Sequence, residues 1–171
     1  MEHRLVSHTI RDQSHADIWA IHGIGVTFHV NCWVNITISM DENDRKRVGQ
    51  TGEDIACEFL ERKGFKVLER NYRKPWGEID IIAEKGGVVR FVEVKAVSRE
   101  SLPDISREMD YRPEEMVTEN KLKKVARTAA LYMENKKDKR EYQIDVVGVI
   151  MDVATKKARC RLIEQALEDN L

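Results

Sequence analysis

The fold is decided by residues 76–95, WGEIDIIAEKGGVVRFVEVK, which have the pattern of a β-hairpin. Two runs of alternating, β-branched-rich residues flank Gly86 and Gly87, a pair that tolerates the positive φ of a type I′ turn. With these glycines as the two central turn residues, Lys85 faces Val88. The turn therefore fixes the register of both strands.

This register brings two acidic side chains together. Counting back from the turn places Asp80 opposite Glu93, with Lys95 two residues further along on the same face. Opposed carboxylates have Cβ atoms about 4.5–5.5 Å apart and destabilise a sheet unless their charge is offset. A divalent cation offsets it, since Mg²⁺ favours one or two carboxylates with room for waters and phosphates. The pattern predicts metal-assisted phosphodiester hydrolysis, in which Lys95 orients the water or stabilises developing charge.

A solvated strand face is the competing interpretation of the same residues. In that case Glu78 and Lys95 form a cross-strand ion pair, and Asp80 sits in water. Because motifs this short also occur by chance, the spacing alone leaves both interpretations open.

Four blocks of the sequence resemble a known family. GQTGEDIACEFLERKGF, RNYR, GEIDIIA and FVEVK occur in this order and are similar to the YraN family of small bacterial proteins. That family belongs to the PD-(D/E)xK nuclease-like superfamily and is similar to archaeal Holliday-junction resolvases. The resemblance covers most of residues 45–165. It implies an α/β fold with a restriction-endonuclease-like core, in which helices flank a mixed central β-sheet.

The resemblance also implies roles for individual residues. Asp80 and Glu93 match the superfamily's acidic metal ligands, and Lys95 matches its lysine. Glu53 matches the helix-borne acid of resolvase-like members, which would make it a third ligand for Mg²⁺ or Mn²⁺. As a first-turn acid, Glu53 could equally complement the helix dipole. The implied activity is that of an endodeoxyribonuclease, with branched or junction DNA as a substrate by analogy of fold.

Residues 44–63 are predicted to form the first helix. Their apolar and small positions follow helical spacing, and Gly64 is well placed to end the helix. Gly49 and Gly52 weaken a helix, so we expect them to permit close approach to the sheet.

Residues 65–72 are predicted to form a strand that joins the hairpin in a three-stranded antiparallel meander, and a short basic cluster lies at the end of this strand. Arg70 and Arg73 flank Tyr72, a mixture suited to a nucleic-acid backbone with one base or sugar contact, although short basic loops are commonly just solvated. We expect Trp76 to pack rather than to present a stacking surface.

The second helix is predicted to begin after Thr118, a good N-cap residue. Lys121 and Lys124 lie in its first turns, so a phosphate site at this helix N-terminus is one interpretation and a solvated face is the other. A loop over residues 96–113 precedes this helix. Residues 142–151 are predicted to form a buried strand that pairs with residues 158–163. Asp145 in this strand either supports the acidic site from behind its ligands or makes a hydrogen bond at the strand start, and the second interpretation is favoured.

The totals of the chain limit what it can be. Its 171 residues suit one domain with an appendage. Three cysteines at irregular spacing match neither a disulfide framework nor a zinc cluster and indicate a reducing, cytoplasmic setting. The absence of a long uncharged apolar run argues against a membrane span. The net charge of −1 does not favour non-specific nucleic-acid binding, so a DNA partner must be recognised through local patches.

Residues 1–39 differ from the rest of the chain. All five histidines lie there, with no lysine, and residues 24–38 alternate apolar and polar positions like a strand. Two interpretations are open: an edge strand or partner-pairing arm, or upstream sequence joined to a domain spanning residues 40–171.

We therefore predict a Mg²⁺- or Mn²⁺-dependent endonuclease with Asp80, Glu93 and Glu53 at the metal. A nucleic-acid-binding module of the same fold without turnover is the alternative. A third hypothesis is an interaction protein, for example a homodimer paired through residues 24–38.

Overall fold

The computed structural model describes residues 29–34, 45–99 and 116–167. Two helices and six strands make up this part of the chain. The helices are α1 (Arg45–Arg62) and α2 (Glu119–Lys136). The strands are β1 (His29–Val34), β2 (Lys66–Lys74), β3 (Gly77–Lys85), β4 (Val88–Arg99), β5 (Tyr142–Asp152) and β6 (Lys157–Ile163).

The strands form one mixed sheet in the order β1-β6-β5-β4-β3-β2. The β4–β5 pair is parallel, and the other neighbouring pairs are antiparallel. A parallel pair needs a crossover connection, and α2 lies in that connection. The predicted mixed α/β architecture of restriction-endonuclease-like type is confirmed.

Each helix covers its own apolar surface of the sheet. The α1 side buries Phe59, Ile81 and Val92, and the α2 side buries Ile79 and Phe91. The sheet is therefore covered by a helix on each face, and the strands in its middle read as near-continuous apolar runs.

Two glycines set how closely the helices approach the sheet. A Cβ at Gly52 would lie 2.1 Å from the Cβ of Ala96 on β4, and one at Gly77 would lie 2.2 Å from Thr128 Oγ1 on α2. Both positions require glycine for steric reasons. The expectation of close approach is confirmed for Gly52, whereas a Cβ at Gly49 would meet nothing within 4 Å.

The predicted local elements agree well with the structure. Gly86 and Gly87 have φ values of 62° and 83°, and Lys85 pairs with Val88 as the turn requires. Gly64 follows α1 with a φ of 82°, and the side chain of Thr118 accepts a hydrogen bond from the Lys121 amide at the start of α2.

Three expectations need correction. The loop begins later than predicted, since β4 continues to Arg99 and stays paired with β5 as far as Asp152. Trp76 does not pack into the protein, because 41% of its surface is exposed at the β2–β3 turn. Asp145 makes more than a strand-start hydrogen bond, because it is fully buried and pairs with Arg90.

The N-terminal segment contributes one strand to the described structure. β1 pairs antiparallel with β6 at the edge of the sheet, with His29 opposite Ile163. The remainder of residues 1–39 and most of the 96–113 loop lie outside the described residues. The division of the chain at residue 40 stays a prediction.

Candidate metal and nucleic-acid site

Asp80 and Glu93 lie where the β3–β4 pairing ends. The ladder runs from Lys85↔Val88 to Ile81↔Val92 and stops one pair before these two acids. Asp80 instead accepts a hydrogen bond from the backbone amide of Val94, with 2.8 Å between Oδ2 and N. Its carboxylate is thereby held against β4 beside Glu93.

The regular alternation of β3 breaks at Asp80. Ile79 and Ile81 would share a face on a regular strand, yet Ile79 packs in the α2 cluster and Ile81 in the α1 cluster. On the neighbouring strand, Asn71 has a φ of 53° between two normally paired residues. Breaks of this kind redirect a side chain, and they are common beside functional sites.

Glu93 is a buried carboxylate with an unsatisfied oxygen. Only 8% of the residue is exposed, and Oε2 has no hydrogen-bond partner. Burial raises the pKa of Glu93 to about 7, the charge of Asp80 adds to this rise, and Lys121 opposes it. Burial also raises the pKa of Asp80, against the lowering effect of the Val94 amide. The pair would gain strongly from a cation.

An ammonium from α2 reaches this pair. Lys121 Nζ lies 3.2 Å from Glu93 Oε1 and 3.1 Å from Glu78 Oε1. Burial alone would lower the pKa of Lys121, but the two carboxylates outweigh it and raise that pKa. The sequence predicts Lys121 at the helix N-terminus but does not predict its contact with the acids. Glu78 pairs with Lys121 and not with Lys95, the partner expected from strand register.

Glu53 approaches the same region from the middle of α1, so the interpretation of Glu53 as a first-turn acid that complements the helix dipole is wrong. Its carboxylate accepts a hydrogen bond from the side chain of Asn71, and its pKa is raised by burial and, more weakly, by the charge of Asp80. Glu53 Oε2 is the second buried carboxylate oxygen without a partner. Glu53 and Glu93 thus both feel the charge of Asp80, and each has one unsatisfied oxygen.

These carboxylates are a partial fit to a metal ion. Over residues 29–34, 45–99 and 116–167, no three His, Cys, Asp or Glu side chains gather into a ready-made cluster. Two carboxylates nevertheless suffice for Mg²⁺, which keeps most of its waters. Asp80 and Glu93, with the unsatisfied oxygen of Glu93, therefore fit a two-carboxylate site, whereas Glu53 does not join them in a three-residue cluster. The ligand set of Asp80, Glu93 and Glu53 stays a prediction.

Lys95 forms no ion pair with any described residue. It is half-buried on β4, two residues beyond Glu93 and therefore on the same face. The ion pair with Glu78, which the solvated-face interpretation required, is absent because Glu78 binds Lys121.

The predicted nucleic-acid residues divide into two groups. Arg70 is engaged by an ion pair with Asp54, and Lys121 by the two glutamates. Arg73 and Lys124 are exposed, and no described residue forms an ion pair with either. Thr118 serves α2 as its N-cap, with its Oγ1 3.3 Å from the Lys121 amide.

Sequence reasoning missed the parts played by two residues. The sequence prediction gives Asn71 no role, although asparagine is one of the residues that most readily adopt a left-handed backbone conformation. Glu78 was assigned to Lys95 because strand register was the only guide available. No signal within β3 could have indicated a lysine more than forty residues away.

A mixed sheet between two helices, with paired acids where a hairpin ladder ends and a lysine beyond them, defines a PD-(D/E)xK nuclease-like protein. A family model matches residues 52–149, and the chain belongs to that family, the uncharacterised protein family UPF0102, also called the YraN family.

Relatives from several bacteria support the same membership. The UPF0102 protein of Dictyoglomus thermophilum is 36% identical over 115 residues, covering 66% of this chain and 90% of that protein. The one from Caldicellulosiruptor saccharolyticus is 37% identical over 124 residues, covering 72% and 98%. That from Fervidobacterium nodosum is 33% identical over 123 residues, covering 71% and 86%.

Neither described helix is long and apolar enough to cross a membrane.

Proposed function

We propose that this protein is a metal-dependent endonuclease that hydrolyses phosphodiester bonds in DNA. The observation that carries the proposal is Glu93, a carboxylate buried beside Asp80 with one oxygen lacking any donor. A buried acceptor without a partner costs about 1–3 kcal/mol, and more when it is charged. Such a cost at the end of a ladder is typical of a site built for a ligand.

The acidic residues would hold Mg²⁺ or Mn²⁺. Asp80 and Glu93 are the main ligands in this proposal, and Glu53 assists from α1. When bound, the cation polarises a phosphoryl oxygen and lowers the pKa of a coordinated water. The hydrogen bond from the Val94 amide fixes the Asp80 carboxylate before any ligand arrives.

The basic residues would handle the phosphate. Lys95, on the Glu93 face and without an ion-pair partner in the described chain, orients the attacking water or offsets developing charge. Arg73 and Lys124 engage the flanking backbone from the surface. Lys121 and Thr118 place an ammonium and a helix N-terminus at the same edge, where a phosphate is favoured.

A nucleic-acid-binding module without turnover is the second candidate. It is favoured by the Lys121 ammonium, which already balances Glu93 and Glu78 without any metal. In that case the acids hold α2 in position, and affinity for DNA comes from the exposed cations alone. Binding would then fall steeply with salt and would not depend on Asp80.

The deciding experiment is cleavage by the full chain of linear, flapped, single-stranded and four-way DNA with Mg²⁺, Mn²⁺ or chelator. Asp80→Asn and Lys95→Met are the test variants. Glu61→Gln and Lys139→Met, which alter exposed charges away from the site, are the matched controls. Metal-dependent products that disappear in both test variants but not in the controls support the endonuclease. Products that survive Asp80→Asn would overturn it.

Calorimetric titration of the DNA-free protein with Mn²⁺ gives a second readout. We expect Asp80→Asn and Glu93→Gln to weaken Mn²⁺ binding at least tenfold, and Glu61→Gln to leave it unchanged. Binding of DNA without binding of Mn²⁺ would favour the module without turnover.

A further inference from the structure

The turn between β2 and β3 carries an exposed indole. Lys74 pairs with Gly77, so Pro75 and Trp76 form a two-residue turn between the strands. Trp76 is 41% exposed, and its ring stacks on no other described aromatic side chain. The indole therefore offers an aromatic surface that a ligand from solvent can reach.

Contact with α2 fixes the position of this turn. A Cβ at Gly77 would lie 2.2 Å from Thr128 Oγ1 and 3.7 Å from the carbonyl oxygen of Lys124. Thr128 is itself tied down by a hydrogen bond of 2.8 Å to that same carbonyl. Trp76, next to Gly77, is therefore presented from a rigid support beside α2.

The surroundings of Trp76 are basic. Arg73 and Lys74 precede it on β2, and Lys124 and Arg127 lie on the stretch of α2 that Gly77 touches. All four cations are exposed, and within the described chain none of them forms an ion pair. Lys74 instead lies over the ring of Tyr72, with 5.3 Å between Nζ and the centroid.

The backbone of this turn also lies close to the candidate metal site. Glu78, two residues further along β3, binds the same Lys121 that contacts Glu93. At a rise of about 3.3 Å per residue, the backbone of Trp76 is about 7 Å from that of Glu78. A DNA strand with one base stacked on the indole would therefore have phosphates near the acids within a few nucleotides of that base.

We propose that Trp76 is a stacking platform for an unpaired base, with Arg73, Lys74, Lys124 and Arg127 holding the adjoining phosphates. Aromatic rings set among cations are the usual means of binding single-stranded nucleic acid, because every base offers a π-face. Inside a duplex those faces are covered by neighbouring bases. The inference rests on the proposed function and narrows its substrate class to DNA with single-stranded character.

The test is fluorescence anisotropy of a labelled oligothymidylate and a labelled blunt duplex, in chelator, with full-chain protein. Trp76→Ala should weaken binding of the oligothymidylate about tenfold and leave duplex binding within about twofold. Trp76→Phe should retain most of the affinity. Leu68→Ala is the control for loss of an exposed apolar side chain, because Leu68 is 38% exposed on β2 and has no aromatic ring.

A second variant separates stacking from charge. Lys124→Gln should weaken both probes to a similar degree and reduce the salt dependence of binding. Equal losses for both probes in Trp76→Ala, or unchanged binding of oligothymidylate, would overturn the proposal. A change of elution volume on gel filtration without a change in DNA affinity would assign the indole to a protein contact instead.

The binding test of Trp76 and the cleavage assay can fail independently of each other. Oligothymidylate binding that depends on Trp76, together with no metal-dependent products, would leave the platform in place and reject hydrolysis. Cleavage that depends on Asp80 but not on Trp76 would reject the platform and keep the nuclease.

Discussion

Two carboxylates on neighbouring strands of the sheet are both buried, yet they differ in how many hydrogen-bond donors the surrounding residues supply. Asp145 on β5 is fully buried, and both of its oxygens have donors. Arg90 Nη1 lies 3.0 Å from Oδ2, while Gln143 Nε2 and the Gln165 amide lie 2.7 and 3.0 Å from Oδ1. Glu93 on β4 has one ammonium and one oxygen with no donor.

The difference distinguishes a structural acid from one available for a ligand. The donors to Asp145 come from three parts of the sequence, so its hydrogen bonds fasten the segment after β6 to the sheet. Glu93 fastens less and retains the capacity to accept from something outside the chain. A buried acid with complete partners is explained by folding, whereas an incomplete one needs a further explanation.

The largest loss of stability should come from removing Asp145, the acid whose two oxygens both have donors. Asp145→Ala removes the nearer counter-charge of the largely buried Arg90, which then keeps Glu164 Oε1 at 3.5 Å, so we expect a loss of about 3 kcal/mol in unfolding free energy, at the lower end for breaking a buried ion pair. Urea denaturation monitored by circular dichroism measures it. Mn²⁺ affinity of the remaining folded protein should stay within about twofold of the unmodified chain. A loss below about 1 kcal/mol would show that the donors of Asp145 are dispensable.

Replacing Glu93, the acid with an unsatisfied oxygen, should instead stabilise the protein. Burial raises the pKa of Glu93 from 4.5 to about 7, so the folded protein binds this proton more tightly than the unfolded chain. Stability from this group is therefore present below about pH 4.5 and is lost as the pH rises through about 7. Glu93→Gln removes that loss and should stabilise the metal-free protein at pH 8 by about 1–3 kcal/mol.

Urea midpoints at pH 5 and pH 8 in chelator test this sign. The gain for Glu93→Gln should shrink strongly at pH 5, where Glu93 of the unmodified protein is already protonated. Glu61→Gln, at an exposed position, should shift neither midpoint. A variant less stable than the unmodified protein at pH 8 would mean that the Lys121 ion pair outweighs the burial of Glu93.

Much of the acidic site could be read from the sequence because local rules determine it. The Gly86-Gly87 turn sets the register as far as Ile81↔Val92, and continuing the count predicts Asp80 opposite Glu93, one pair beyond the end of the ladder. The helix boundaries followed from Gly64 and Thr118 for the same reason. In each case the decisive residues lie within a few positions of the feature that they control.

The rest depended on contacts between distant segments. The break at Asp80 involves Asn71 on another strand, and Lys121 reaches Glu93 only because α2 crosses the sheet there. The donors of Asp145 likewise come from β4 and from the segment after β6. No periodicity encodes such contacts, so the sequence showed which acids were candidates but not which would be satisfied.

A substitution at Gly52 should displace Glu53 and leave the hydrogen bonds of Asp145 intact. Gly52→Ala would place a Cβ 2.1 Å from that of Ala96 and push α1 away from β4. Because Ala96 is only half-buried, we expect a loss of about 1–2 kcal/mol, together with weaker Mn²⁺ binding. The double variant Gly52→Ala/Ala96→Gly restores the space and should recover both properties. Failure of the double variant to recover stability would show that helix packing is not limited by this contact.

The smallest effect concerns the ammonium that now balances Glu93. Lys121→Met should lower stability at pH 8 in chelator by about 1 kcal/mol, because Glu93 and Asp80 lose their counter-charge at a partly solvated position. If the ammonium and a divalent cation satisfy the same oxygens, Mg²⁺ should raise the melting temperature of this variant more than that of the unmodified protein. Lys123→Met, which removes a surface ion pair with Glu119, is the matched control. Equal Mg²⁺ responses in all three proteins would show that Lys121 does not compete with a metal, and Glu93 would then resemble Asp145 as an acid satisfied by its own chain.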